Sequence, residues 1–397
     1  MYPDIIHKLK LFSTEHPEFE AEIRTLIFQL QRAGPTDSEP IMKRFMASHK
    51  TLCSSLRAFL AQNSRKRFCV FDTEEVQLQN KLRQASGNDH LKIWAATVAS
   101  VPRYTKAIPD VNKDFLGNAR KSWDAAVCGN EDVLKCLLRH AVEYSRTGKT
   151  SAVLLNGPPG IGKTLISRVY SSILQLPFSF ISGPGASVRR GLSGDPALYT
   201  NAGPGAIVQS MISGKAGNPC ICVDELDKAL GSHSGRPGFQ HELLAALDDS
   251  NVEFYDNFLE TSVNASYIPY IFTSNTKDTI SAPLLDRMEI IEMAPPTKET
   301  LLTIVQKHTL PKVLQMYGTD GIQVEENAMD TLVDQLWSGG SRSCRPYKKA
   351  VDRLISDAYL TLLETDRPVI VTADDAKSAA NQFRQEQFCK PIGFRTA

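Results

Sequence analysis

The chain reads as an α/β protein in which a parallel sheet, flanked by helices, carries a P-loop. A helical region precedes it, and a smaller, mainly helical domain follows. Three observations predict this. From Ser151 onward, short apolar runs of strand length alternate with helical stretches and glycine-rich turns, the texture of a parallel sheet covered by helices. The segment GPPGIGKT at 157–164 satisfies G-x-x-x-x-G-K-[ST] between a strand-like and a helix-like stretch. Past Pro295-Pro296 the pattern turns helical to the end. The expected divisions are 1–95, a helical N-terminal region; 96–295, the large α/β domain; and 296–397, the small helical lid.

Composition sets the outer bounds. With 397 residues, 42% hydrophobic and 22% charged, the chain is long enough for two or three ordinary globular domains. Its 45 basic and 44 acidic side chains nearly cancel, so no bulk field draws it to nucleic acid or an anionic membrane, although a local basic patch stays open. No run approaches the roughly 18–20 apolar residues of a membrane span. Glu15, Glu18, Glu20 and Glu22 argue against an acid-poor transit peptide. The expectation is a soluble intracellular protein of the cytoplasm, with an organelle matrix or the nucleus left open. The eight cysteines form no C-x-x-C pair, which suggests reduced thiols rather than a disulfide framework or a zinc site.

In the first region Phe19, Ile23, Leu26, Ile27 and Leu30 recur at helical spacing after Pro17, and Gly34-Pro35 stops the pattern. A second helical stretch runs from about Thr73 through Leu91 to Trp94. Between them RKRFCVF (65–71) is either a basic and aromatic contact segment or a solvated connector. The strand candidates of the large domain are AVLLN (152–156), FSFIS (178–182), CICVD (220–224) and YIFTSN (270–275). In the lid, PVIVT (368–372) precedes a helix that Thr372 can cap.

The chemistry is carried by four stretches. In the loop of Gly157, Pro158, Pro159, Gly160, Ile161, Gly162, Lys163 and Thr164, backbone N–H groups turn onto phosphate oxygens. Lys163 reaches the terminal phosphates, and Thr164 offers a hydroxyl to Mg2+ at a helix N-terminus. CICVD ends in Asp224-Glu225, a Walker B pair in which Asp224 holds Mg2+ and Glu225 orients and deprotonates the attacking water. Asp227 and Lys228 follow, as members of the site or as surface charge. Asn275 closes YIFTSN on the strand expected between the two nucleotide motifs, where it can sense the γ-phosphate. Arg287 in APLLDRMEII is an ordinary surface arginine in a monomer, but in a ring it can reach a neighbour's ATP as an arginine finger. Arg345, opening RPYKKAVDRLI, is placed to touch the γ-phosphate in cis, with Arg342 as the competing candidate.

Together these residues resemble AAA+ ATPases, and the likeness to the ATPase part of Lon protease goes beyond the shared motifs. YTNAGPGAIVQSM (199–211), VDELDKAL, LLAALDDSNVEFYDNFLE (243–260), FTSNT and PLLDRMEII follow in Lon's order. Upstream, WAATVASVPRYTK (94–106) and WDAAVCGNEDVLKCLLRHAVEY (123–144) look like Lon's approach to its ATPase. The resemblance covers about 90–385. It implies a nucleotide-proximal helix with Gly129 near the adenine, and Tyr199 as the pore aromatic that grips an extended polypeptide without demanding a sequence. Val127-Cys128 departs from the aromatic or histidine of many relatives, and on this resemblance neither Lon's large β-rich substrate domain nor its peptidase is expected among these residues.

The resulting expectation is an ATP- and Mg2+-dependent protein remodeller without a peptidase site, a homo-oligomer expected to be a hexameric ring that threads protein substrates alone or for a separate peptidase. The alternatives are the ATPase piece of a longer Lon-type protease, a nucleotide-dependent assembly scaffold and, last, a nucleic-acid motor.

Overall fold

A computed structural model of the chain describes residues 2–33, 38–49, 52, 55–56, 59, 89–107, 109–188, 190–199, 201–231, 238–318 and 321–388. The RKRFCVF segment, the Gly34-Pro35 stop and residues 73–88 of the second helical stretch lie outside them.

The large domain is built on five parallel strands in the order β2-β3-β6-β1-β7, where β1 is Ala152–Asn156, β2 Phe178–Ser182, β3 Cys220–Asp224, β6 Tyr270–Ser274 and β7 Met288–Glu292. Near-continuous apolar runs suit the three central strands β3, β6 and β1, which are buried along almost their whole length, because a parallel sheet is covered on both faces. The period of two divides the core accordingly. Leu154, Ile221, Val223 and Phe272 point into one cluster, and Val153, Leu155, Cys220 and Ile271 into the other. Cys220 and Cys222 are fully buried, and burial pushes both thiols well above the usual range, so they act as small core hydrophobes.

Helices then cover the two faces. On the second face lie Lys113–Asp124, Glu131–Thr147 and the P-loop helix Lys163–Ile173. On the first, Asp89–Ser100 packs Trp94, Ala95 and Val98, and Trp94 Nε1 donates to Phe258 O at 2.8 Å. A division at 95/96 therefore falls inside a helix, because Trp94 belongs to the sheet's core although its neighbours in sequence read as part of the preceding helical region.

A short antiparallel hairpin of β4 (Phe254–Asp256) and β5 (Thr261–Val263) sits between β3 and β6. The lid has its own core of Leu301, Leu332, Leu336, Tyr347, Val351 and Ile355 among others, and pairs β8 (Ile322–Val324) with β9 (Val369–Val371). Thr372 caps the last helix reciprocally: its N–H donates to Asp375 Oδ2 at 2.9 Å, and its Oγ1 accepts from Asp375 N at 3.3 Å. The N-terminal helices close on a separate core that includes Leu9, Phe12, Ile23, Leu26 and Leu30. Among the described residues no helix is long and apolar enough to cross a membrane.

Candidate active site

The parallel sheet brings the carboxyl ends of β1, β3 and β6 side by side, which is where open α/β sheets place their ligands. Each of these ends carries one of the motifs. The loop after β1 can turn only because Gly157 has no side chain: its φ is +155°, and a Cβ there would stand 2.4 Å from Met293 O. The loop delivers Lys163 as the first residue of the following helix.

Lys163 is 8% exposed, and its ammonium donates to Gly157 O (2.5 Å), Pro158 O (2.9 Å) and Asn275 Oδ1 (2.9 Å). Burial lowers its pKa; Asp227 and Asp224 oppose that shift, and the nearby Arg345 adds to it. Thr164 Oγ1 donates to Asp224 Oδ1 at 3.1 Å, and Thr273 Oγ1 holds the same oxygen at 2.6 Å. Thr273 also accepts from Glu225 N at 3.1 Å, which fixes the backbone where Glu225 takes the uncommon left-handed φ of +57°.

Lys163, Thr164, Asp224, Glu225, Asn275 and Arg345 line one cavity of about 500 Å3. Arg345 enters from the lid: the helix Cys344–Thr365 begins against the loop, with Cys344 N donating to Gly160 O at 2.8 Å. Arg342 is engaged elsewhere, with its guanidinium 3.7 Å above the Trp337 ring and Nη1 donating to Trp337 O at 2.7 Å. Next to the polar cavity lies an apolar one of about 560 Å3 lined by Val127, Cys128, Gly129, Ile161 and Pro295. The two share Gly162, Leu165, Cys344 and Lys348, so a polyphosphate and a flat apolar ring can occupy adjoining volumes.

Two neighbours of Glu225 left undecided by the sequence take different places. Lys228 lines the cavity, and its Nζ lies 2.5 Å from Glu225 Oε1. Asp227 is buried, and its Oδ1 has no hydrogen-bond partner among the described residues.

Arg287 stands apart from its own chain's cavity. Nη1 donates to Pro283 O at 2.9 Å and Nη2 to Asp248 Oδ2 at 3.2 Å. Tyr199 is 65% exposed beside Leu198 at 92%, on a loop whose base is tightly packed. Gly205 approaches the backbone so closely that a Cβ would meet Leu192 O at 1.9 Å. Buried Asp256 accepts from Gly205 N (2.8 Å), Phe258 N (3.0 Å) and Leu259 N (2.9 Å). Asp256→Ala leaves three buried N–H donors unsatisfied and is expected to destabilise the protein by on the order of 3 kcal/mol, read from the shift of the urea midpoint. An unchanged midpoint would mean that the loop base relaxes freely.

Residues 153–296 match the family described as "ATPase family associated with various cellular activities (AAA)". The chain is 31% identical over 280 residues to a Lon protease of Methanosarcina barkeri, covering 68% of this chain and 34% of that protein. It is 32% identical over 297 residues to a Lon protease of Magnetococcus marinus, covering 73% and 36%. The chain carries a Lon-like AAA+ ATPase module. A third Lon protease, from Sorangium cellulosum, is 29% identical over 335 residues, covering 83% of this chain and 41% of that protein. The Lon-like module thus spans between a third and about two fifths of the length of these relatives.

Proposed function

We propose that this Lon-like module hydrolyses ATP at the subunit interfaces of a homo-oligomeric, six-membered ring and uses the cycle to draw polypeptide past Tyr199. The observation that carries the reading is the convergence of Lys163, Thr164, Asp224, Glu225, Asn275 and Arg345 on one cavity.

The donor set fits Mg2+. A hydroxyl and a carboxylate oxygen 3.1 Å apart, Thr164 Oγ1 and Asp224 Oδ1, are the hard oxygen ligands of an ion that keeps most of its water. When bound, Mg2+ supplies charge neutralisation at the phosphate oxygens. The protein's own groups do the rest. P-loop N–H groups and Lys163 bind and orient the phosphates, Arg345 supports them from the lid, Asn275 aligns the γ-phosphate end, and Glu225 accepts the proton of the attacking water. Lys228 occupies Glu225 Oε1, and a water taken up as nucleophile competes with that pairing or uses the second carboxylate oxygen. The same pairing suits a slowly hydrolysing assembly scaffold, which is the second reading.

Tyr199→Ala separates the two. A threading motor is expected to keep its ATP turnover in this variant while losing ATP-dependent unfolding of a tagged globular substrate. Unfolding that matches the wild type would overturn threading, and absence of unfolding in the wild type itself would favour the scaffold. The exposure of Tyr199 and Leu198 on a loop anchored by Asp256 supports the first outcome. A peptidase served by such a motor is carried in the same polypeptide or in another.

A further inference from the structure

We propose that Cys136, His140 and Glu289 form a binding site for a divalent transition-metal ion of zinc's class, pinning the helix Glu131–Thr147 to strand β7. Cys136 and His140 are four residues apart and share one face of that helix. Both are buried, and Glu289 reaches them from the strand. Cys136 Sγ lies 2.8 Å from Glu289 Oε1, and His140 Nε2 lies 2.8 Å from Oε2; one donor atom from each of the three residues falls within 4.8 Å of the others. Tetrahedral zinc with bonds of roughly 2.0–2.3 Å holds its ligand atoms about 3.3–3.6 Å apart, so the two contacts at 2.8 Å, one to each carboxylate oxygen, have to open by roughly half an ångström or more as an ion enters.

The surroundings orient the histidine as a ligand. Thr150 Oγ1 donates to Glu143 Oε2 at 3.3 Å, which leaves its lone pairs to accept from His140 Nδ1, 2.8 Å away. In the tautomer with Nδ1–H donated to Thr150, the Nε2 lone pair faces the Glu289 carboxylate, 2.8 Å away, where the two can ligate one cation. Metal-bound histidines are typically held by such a hydrogen bond through their other ring nitrogen. Arg139 Nη2, 3.2 Å from Glu289 Oε1, is the competing cation, but its side chain is 70% exposed and free to swing into solvent. Glu289 is 41% exposed, which leaves a solvent-facing position for a water as fourth ligand.

Burial and the Glu289 carboxylate push the Cys136 thiol up to about 11, so an ion binds here only by displacing that proton. The sequence hides the site because it contains no C-x-x-C and its third ligand is 153 residues from the cysteine. Its position has a consequence that does not depend on the threading reading. The helix starts next to Gly129, and β7 follows directly on Arg287, so an ion here ties the helix beside the apolar cavity to the strand that follows the outward-facing arginine.

The test is a titration of the reduced, chelator-treated full chain with Co2+. Expected is a saturable thiolate-to-cobalt charge-transfer band that Zn2+ abolishes. It is expected to be missing from Cys136→Ser, retained in Cys128→Ser, and reached only at roughly 10- to 100-fold higher Co2+ in Thr150→Val. Thr150→Val removes no ligand, so it tests the geometry even if Cys136→Ser perturbs folding. A wild-type chain without the band, a band that survives Cys136→Ser, or a Thr150→Val titration matching the wild type would overturn the proposal.

Discussion

Glu225→Gln is expected to bind ATP as tightly as the wild type and to hydrolyse it roughly 10²- to 10⁴-fold more slowly, the usual contribution of a positioned general base. Binding should survive because the groups proposed to hold the phosphates and Mg2+ are elsewhere: Lys163 is fixed by Gly157 O, Pro158 O and Asn275, and Asp224 by Thr164 and Thr273. The amide has nearly the volume of the carboxylate but accepts no proton at neutral pH. It also removes the charge that pairs with Lys228, an exposed contact of little consequence for stability. Phosphate release and fluorescent-nucleotide binding, measured on the same preparation, separate the two effects. A turnover within tenfold of wild type would remove Glu225 from the role of base, and a collapse of binding would place it among the nucleotide's ligands instead.

What the sequence makes legible follows from where the residues lie along the chain. The P-loop, Asp224-Glu225 and Asn275 stand out because each ends an apolar run of strand length, and a parallel sheet aligns such ends at one edge. The strand order agrees, with β6 between β3 and β1. The hairpin β4-β5 is not legible, since three-residue strands have too few positions to show a period. Strand β7 escapes because Met288–Glu292 largely overlaps APLLDRMEII, the segment singled out for Arg287, and no turn separates the strand from that arginine. Trp94 misleads on the division of the chain, because helical periodicity says nothing about which core a face will join. Arg342 and Arg345 cannot be ranked by spacing alone. The Trp337 ring occupies the first and the contact between Cys344 and Gly160 brings the second to the loop, and both are tertiary facts.

Arg287→Ala is expected to lower ATP turnover of the assembled protein by roughly 10³- to 10⁵-fold, the range for an arginine supplied in trans. The geometry motivates a trans role. The guanidinium bonds to Pro283 O and Asp248, and it is not part of the wall of its own chain's cavity. Leaving Asp248 costs little, because an exposed pair is weak and screened by salt, whereas a guanidinium inserted beside a neighbour's developing phosphate charge acts where water is excluded. Mixing distinguishes trans from cis. Glu225→Gln subunits retain the arginine and lack the base, and Arg287→Ala subunits the reverse; each alone is expected to be inactive. In a ring with head-to-tail interfaces, random mixing of equal amounts joins an intact base to an intact arginine at about a quarter of the interfaces, and turnover should recover by a comparable fraction. An arginine acting within its own chain gives no recovery at any ratio, because no site in the mixture would then hold both groups.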